Sequence, residues 1–212
     1  MLCNKEFFLS DMEHQDYDID YLINGLSNIC RWNGQTAVFY SVLDHLLYCI
    51  DIFNYVFELD MEEKFGRKLE VVSLERLDKE APKNYIEGIV DVMTHDLQEA
   101  YCGDMISSLK CQEGMEKYRE IENQIMKGIR NKFGITHEYK EDVISHIDKM
   151  ALIGEAKLLL PYNMYTHIKE TYSELEEPSI QPTIRDSMES RIVYKKCFYN
   201  FIGDYHYEKQ KG

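Results

Sequence analysis

Apolar residues in this chain recur every three or four positions, segment after segment, a period that admits little but packed helices. Ile19, Leu22, Ile23, Leu26 and Ile29 predict a helix from Ile19 to Cys30. It should stop at Arg31-Trp32-Asn33-Gly34, where Asn and Gly readily take the left-handed backbone that ends helices. Phe39, Leu43, Leu46, Leu47, Ile50, Phe53 and Phe57 predict a long helix from Ala37 to Leu59. A short helix is expected near Leu69 to Lys79, in a charged stretch broken by Gly66 and Pro82. Further helices are predicted from Tyr85 to Cys102, capped by Gly103, from Met115 to Phe133, closed by Gly134, and from Asp142 to Leu160, ended by Pro161. Tyr162 to Leu175 reads as helical, Glu176 to Pro182 as a linker and Thr183 to Tyr207 as a last helix. No stretch alternates with period two between hairpin turns, so the expected fold class is all-α, a helical bundle.

A chain of 212 residues, 44% hydrophobic with four prolines, suits one globular domain. Residues 1–18 read as an N-terminal arm, and 161–212 as a helical C-terminal extension packed on the same domain. No run approaches the roughly eighteen apolar residues of a membrane span, and MLCNKEFFLSDMEHQD turns acidic before a secretory core can form. A cytoplasmic protein without membrane partners is expected. Cys3, Cys30, Cys49, Cys102, Cys111 and Cys197 form no CxxC pair, which predicts reduced, mostly buried thiols. A net charge of −14 argues against binding a nucleic-acid polymer, since phosphate backbones are held by clustered Lys and Arg. An anionic ligand would be small and met locally, where a divalent metal can supply positive charge.

His95-Asp96 sets an imidazole beside a carboxylate, as a divalent ion accepts, although such dipeptides are common and a local hydrogen bond explains a lone one. Glu99 follows His95 by four residues, so on a helix both face one side and the carboxylate can orient or deprotonate a water. Asp104 follows Gly103 and can reach the same place, or simply serve the turn. His45 and Asp148 sit in mostly apolar helices, where each needs a partner; alone, a core hydrogen bond accounts for either. His14, His137, His146, His167 and His206 read as surface residues.

Taken together, His45, His95-Asp96 about fifty residues on and Asp148 about fifty further resemble the H…HD…D pattern of the HD-domain phosphohydrolases. NGLSNICRWNGQTAVFYSVLDHLLYC is similar to that family's arginine-and-aromatic turn followed by its first ligand histidine. THDLQEAYCGDMISSLK resembles its HD-x-x-EAY-x-GD stretch, and ISHIDKMALIGEAK its final ligand helix. The resemblance spans residues 19–160, four blocks in order, and is nearest the small bacterial and phage 5′-deoxynucleotidases and dNTP (dATP) triphosphohydrolases. It departs at Gly103-Asp104-Met105-Ile106-Ser107-Ser108-Leu109-Lys110, which lacks the family's two prolines, and at Gln35, where the family has a histidine.

The resemblance implies an HD-domain helical bundle over 19–160. It also implies one divalent transition metal (Co, Mn, Zn, Fe or Ni) held by His45, His95, Asp96 and Asp148. It gives Glu99 and Asp104 catalytic roles and makes Arg31, Trp32 and Lys110 substrate-binding, with Lys157 a further candidate for a longer phosphate chain. The only tryptophan offers a flat surface to a base or sugar, or else anchors a helix end. The expected activity is hydrolysis of a small-molecule nucleotide, a 2′-deoxynucleoside mono- or triphosphate, in a bacterial or phage-infected cell, with a homo-oligomer left open. Other readings are a nucleotide-binding regulatory module, a structural helical protein, and a cyclic-nucleotide phosphodiesterase, whose second metal asks for more His and Asp than the chain offers.

Overall fold

The computed structural model describes residues 11–65 and 83–211, and among them the chain is all-α, with no strand. Its helices are α1 (Ile19–Leu26), α2 (Val42–Phe65), α3 (Lys83–Thr94), α4 (Glu99–Cys102), α5 (Ser107–Lys110), α6 (Glu116–Lys132), α7 (Glu141–Leu159), α8 (Tyr162–Thr171) and α9 (Ser187–Lys211). The helix expected near Leu69 to Lys79 lies outside the described residues. No helix among those described is long and apolar enough to cross a membrane.

The centre of the bundle is α2, whose residues from Val42 to Phe53 are almost all buried against α3, α7 and α9. It starts later than its apolar pattern suggests because Ser41 caps it. The Ser41 Oγ accepts from the Asp44 N–H at 3.1 Å, and the Asp44 carboxylate accepts from the Ser41 N–H at 3.2 Å and from its hydroxyl at 2.7 Å, a reciprocal capping box. Residues 37–41 are therefore not helical. They run back along the end of α1, with the Arg31 N–H donating to Tyr40 O (2.9 Å) and the Val42 N–H to Ile29 O (3.0 Å). His45 follows the capping carboxylate directly, so the cap also sets where that imidazole enters the core.

The single helix expected from Tyr85 to Cys102 is broken. α3 ends at Thr94, a tight turn carries His95 and Asp96, and α4 resumes at Glu99. Side chains cause the break: the Thr94 hydroxyl donates to Val90 O (2.8 Å) and the His95 ring to Val92 O (2.7 Å), while backbone bonds such as Leu97 N–H to Thr94 O tighten to three-residue spacing.

The C-terminal segment shares the core. Tyr194, Cys197, Phe198, Phe201 and Tyr205 of α9 are buried in the same cluster as α2 and α3, the Tyr194 hydroxyl donates to Met93 O, and the Ser190 hydroxyl donates to Asp44 at 2.6 Å. α8 packs on α7 without burying any residue fully. The described part of the N-terminal arm also departs from expectation. Met12 and Tyr17 are buried against α6, where Gly128 has no side chain because one would meet Met12 O and the Tyr17 ring.

His137 is a second correction. Its ring, 6% exposed, sits between Asp91 Oδ1 (3.0 Å from Nε2) and the Tyr205 hydroxyl (2.9 Å from Nδ1), while His14, His146, His167 and His206 are exposed as expected. Burial disfavours the charged ring, but Asp91 and then Tyr205 overcome this and raise the His137 pKa above its ordinary 6.5.

Gly154 of α7 leaves room for the Tyr48 ring of α2: an added Cβ would stand 2.1 Å from the Tyr48 hydroxyl, itself bonded to Ile180 O at 2.9 Å. Gly154→Ala should lower stability by about 1–3 kcal/mol, read as a lower urea midpoint at unchanged slope. The stabilisation from a raised His137 pKa is fully present below about pH 6.5 and lost as pH rises through the folded pKa. Urea unfolding at stepped pH should show that loss in the native chain and not in His137→Gln.

Candidate metal centre

Four candidate side chains meet where α2, the α3–α4 turn and α7 come together. His45 comes from the second turn of α2, His95 and Asp96 from the turn, and Asp148 from the middle of α7. His45 Nε2 lies 3.2 Å from Asp148 Oδ1 and 3.6 Å from Asp96 Oδ2, and the same Asp96 oxygen lies 3.4 Å from His95 Nε2. Ligand atoms held about 2.1 Å from a common ion in a tetrahedron stand about 3.4 Å apart, so these separations suit a shared metal. The two rings meet edge to face, with centroids 5.5 Å apart.

The outward-facing nitrogen of each imidazole is already committed. The His45 Nδ1–H donates to Glu155 Oε1 at 2.6 Å, both side chains being fully buried, and the His95 Nδ1–H donates to Val92 O. Each bond leaves the Nε2 lone pair directed at the cluster, the arrangement by which proteins orient metal-binding histidines. His95 Nε2 is buried and has no hydrogen-bond partner, which is what a ligand nitrogen requires. The residues present therefore fit a divalent ion.

Cys49, one turn beyond His45 on α2, places its Sγ 3.5 Å from His45 Nε2. One donor atom each from His45, Cys49, His95 and Asp148 lie within 4.8 Å of one another, so this buried group can hold a metal. Burial pushes the Cys49 thiol up to about 11, with His45 opposing. Among the described cysteines Cys49 and Cys197 are buried, Cys30 and Cys102 partly so and Cys111 exposed, all free; burial is less general than expected.

Charged groups surround the cluster. Arg31 reaches Glu155 Oε2 (3.4 Å) and Asp104 Oδ1 (3.6 Å), and Lys110 reaches Glu99 Oε1 (3.4 Å) and Glu122 Oε1 (2.8 Å). Burial, then Asp96 and Asp104, push the Glu99 carboxyl well above its usual range, and Lys110 and Arg31 only partly oppose this. Burial also raises Asp104, against the pull of Arg31. Asp148 goes the other way: burial alone would raise it, and the hydrogen bond and charge of His45 hold it well below the carboxylate range. Glu155 is likewise lowered, His45 and Arg31 outweighing its burial.

Arg31 and Trp32 stand on a strained turn. Trp32 (φ 58°, ψ 29°) and Asn33 (φ 50°, ψ 32°) are both left-handed ahead of Gly34 (φ 72°), a conformation costing a bulky residue about 1–2 kcal/mol. The loop is closed by its bonds to Ile29 and Tyr40 and tied to α7 through the Ala37 N–H to Leu159 O (3.0 Å). Arg31 Nε and Trp32 Nε1 are buried donors without acceptors.

The structure thus brings together His45, His95, Asp96, Asp148, Glu99, Asp104, Arg31 and Lys110, with Trp32 beside Arg31. Lys157 is not among them: it pairs with Glu177, which also accepts from Tyr165 at 2.6 Å. Glu155 and Cys49 escaped the sequence reading. Their signals are helical: Glu155 lies seven residues after Asp148 on one face of α7, and Cys49 four after His45 on one face of α2.

No family model matches the chain. It is 26% identical over 131 residues to the uncharacterized protein YfdR of Escherichia coli (strain K12), covering 62% of this chain and 55% of that protein. It is 28% identical over 137 residues to an uncharacterized protein of Rhodobacter capsulatus, covering 64% of this chain and 57% of the relative. The chain spans about half the length of the curated relatives it matches.

Partners that orient a metal-binding histidine are typically worth about 10–100-fold in metal affinity. Glu155→Gln should therefore weaken divalent-metal binding by about that factor in a chelator competition, while His167→Gln, an exposed histidine on α8, leaves it unchanged.

Proposed function

We propose that the chain is a metal-dependent phosphohydrolase of the HD-domain type that acts on 2′-deoxynucleotides, a deoxynucleoside monophosphate or triphosphate. The observation that carries this reading is the convergence of His45 Nε2, His95 Nε2, Asp96 and Asp148, with both imidazoles fixed from behind, beside buried donors of Arg31 and Trp32 that lack acceptors. A carboxylate-and-imidazole set suits one divalent transition ion, whether Mn, Co, Fe, Ni or Zn. When bound, such an ion lowers the pKa of water and polarises a phosphate.

The remaining roles belong to this chain's side chains. Arg31, on a strained turn, supplies the guanidinium for phosphate oxygens, and Trp32 beside it supplies a flat ring for the base or sugar. Ion pairs with Asp104 and Glu155 hold the guanidinium in place before substrate arrives. Glu99 is buried, and its raised pKa suits a group that takes a proton from the attacking water at near-neutral pH. Lys110 contacts Glu99 and sets the charge around it. Asp104 stands by Arg31 at the edge of the same space and orients the substrate there.

A panel of ribo- and deoxynucleoside mono- and triphosphates, with each metal supplied in turn, tests the reading. Deoxynucleotides should release phosphate or triphosphate, and Glu99→Gln should lower kcat by about 10²–10⁴-fold with metal content retained. Protein that binds no divalent metal, or that cleaves no phosphate ester in any metal, removes the proposal.

A further inference from the structure

Cys49 brings a sulfur into the metal centre, and nothing in the H…HD…D pattern calls for one. It is fully buried and stands four residues after His45 on α2, so the two side chains share one face of one helix. Metal-binding side chains at i and i+4 on a helix form a ready-made chelate.

The Cys49 Sγ lies 3.5 Å from His45 Nε2 and 3.9 Å from Nδ1. Nδ1 is bonded to Glu155, so the sulfur's nearer neighbour is also the nitrogen that faces the cluster. Nε2 has Asp148 Oδ1 at 3.2 Å and Asp96 Oδ2 at 3.6 Å besides. A ring nitrogen carries one proton or one lone pair, and so satisfies one of these three neighbours by a hydrogen bond. A divalent ion satisfies all of them at once, and the spacing suits it. Sulfur about 2.3 Å and nitrogen about 2.1 Å from one ion, at a tetrahedral angle, stand about 3.6 Å apart. The second imidazole gives an independent sign: His95 Nε2 is buried without a hydrogen-bond partner, and His95 belongs with His45, Cys49 and Asp148 to the donors that lie within 4.8 Å of one another.

We infer that Cys49 is itself a ligand of the metal, bound as a thiolate, and that it biases the centre towards thiophilic ions such as Zn²⁺ and Co²⁺ and away from Mn²⁺ and Mg²⁺. The inference rests on the metal centre proposed above and is independent of the substrate. Thiolate is a soft donor, whereas the carboxylates of Asp96 and Asp148 suit hard ions equally well. A coordinating thiol releases its proton to solvent as its bond to the ion forms. Affinity rises from Mn²⁺ to Zn²⁺ at most sites of this kind, so a preference for zinc alone decides nothing. The sulfur's share is the part of that preference that disappears when Cys49 is replaced.

X-ray absorption of the native chain loaded with one equivalent of zinc should show sulfur bonded to the metal at about 2.3 Å, and the Co²⁺-loaded chain should show a sulfur-to-cobalt charge-transfer band. Cys49→Ser, which keeps a small hydrogen-bonding side chain, should remove both signals and weaken Zn²⁺ binding relative to Mn²⁺ by about tenfold or more. Cys197→Ala, at another buried cysteine, should leave both signals in place. Only nitrogen and oxygen around the zinc, or a Zn²⁺-to-Mn²⁺ affinity ratio unmoved in Cys49→Ser, overturns the inference. The two spectra of the native chain decide the matter even where the variant folds poorly. Phosphate-ester hydrolysis measured in parallel separates this claim from the proposed function. Turnover by a centre without sulfur sinks the thiolate alone, and a zinc–sulfur bond in a chain that cleaves no ester sinks the phosphohydrolase reading alone.

Discussion

The buried hydrogen bond between His45 Nδ1 and Glu155 holds the arrangement together. It joins α2 to α7 at 2.6 Å with no water access, and it fixes which imidazole nitrogen remains for the cluster. Two fully buried polar side chains would be a liability if either lost its partner, because an orphaned charge in the core destabilises by several kcal/mol. Each is therefore multiply engaged: Glu155 also receives Arg31, and His45 Nε2 faces Asp148 and Asp96. Gly154, the residue before Glu155, has no side chain and so leaves the Tyr48 hydroxyl of α2 its place against α7.

Around that bond the scaffold is built by capping and interruption. Asp44, adjacent to His45, is satisfied by Ser41 of its own cap and by Ser190 of α9, so the last helix of the chain helps place a residue at the beginning of the second. His95 is placed in the opposite way, by ending a helix. Its ring bonds back to Val92 O, and the resulting turn aims Nε2 and the Asp96 carboxylate at one point, which a continuous helix would have spread around its circumference.

The helices were legible because burial imposes a period, and the period survives in the sequence for α1, α2, α6, α7 and α9. What the period does not carry is where a side chain competes with the backbone. Ser41 shortens α2 at its start, and Thr94 with His95 divides the helix expected through Cys102. His137 looked like a surface residue because its partners Asp91 and Tyr205 lie 46 and 68 residues away, beyond any local pattern. The candidate ligands stood out in the sequence only as a set, through a resemblance, and what the structure adds is that their side chains converge. Glu155 and Cys49 lie within two of the matched blocks and at helical spacing from His45 or Asp148, but the resemblance gave neither a role, and spacing alone gave no reason to choose them over their neighbours.

The electrostatics of the cluster bear on how so acidic a protein would receive the anionic substrate proposed for it. Asp96, Glu99, Asp104, Asp148 and Glu155 converge on a space where Arg31 and Lys110 are the permanent cations. In a medium of low dielectric such an excess of carboxylates is costly, and it is relieved either by holding carboxyls neutral or by adding positive charge. Glu99 and Asp104 follow the first route, pushed towards the protonated form by burial and by Asp96 beside them. Asp148 and Glu155 follow the second, kept ionised by His45 and Arg31. A divalent ion extends that second route: it would favour ionised Glu99, the form that can accept a proton, and would turn a pocket that repels phosphate into one that attracts it. On this view the net charge of −14 and a phosphate-handling site do not conflict. On the proposed function, the carboxylates that disfavour free anions are the same groups that would concentrate a metal, so admission of substrate would be conditional on the ion.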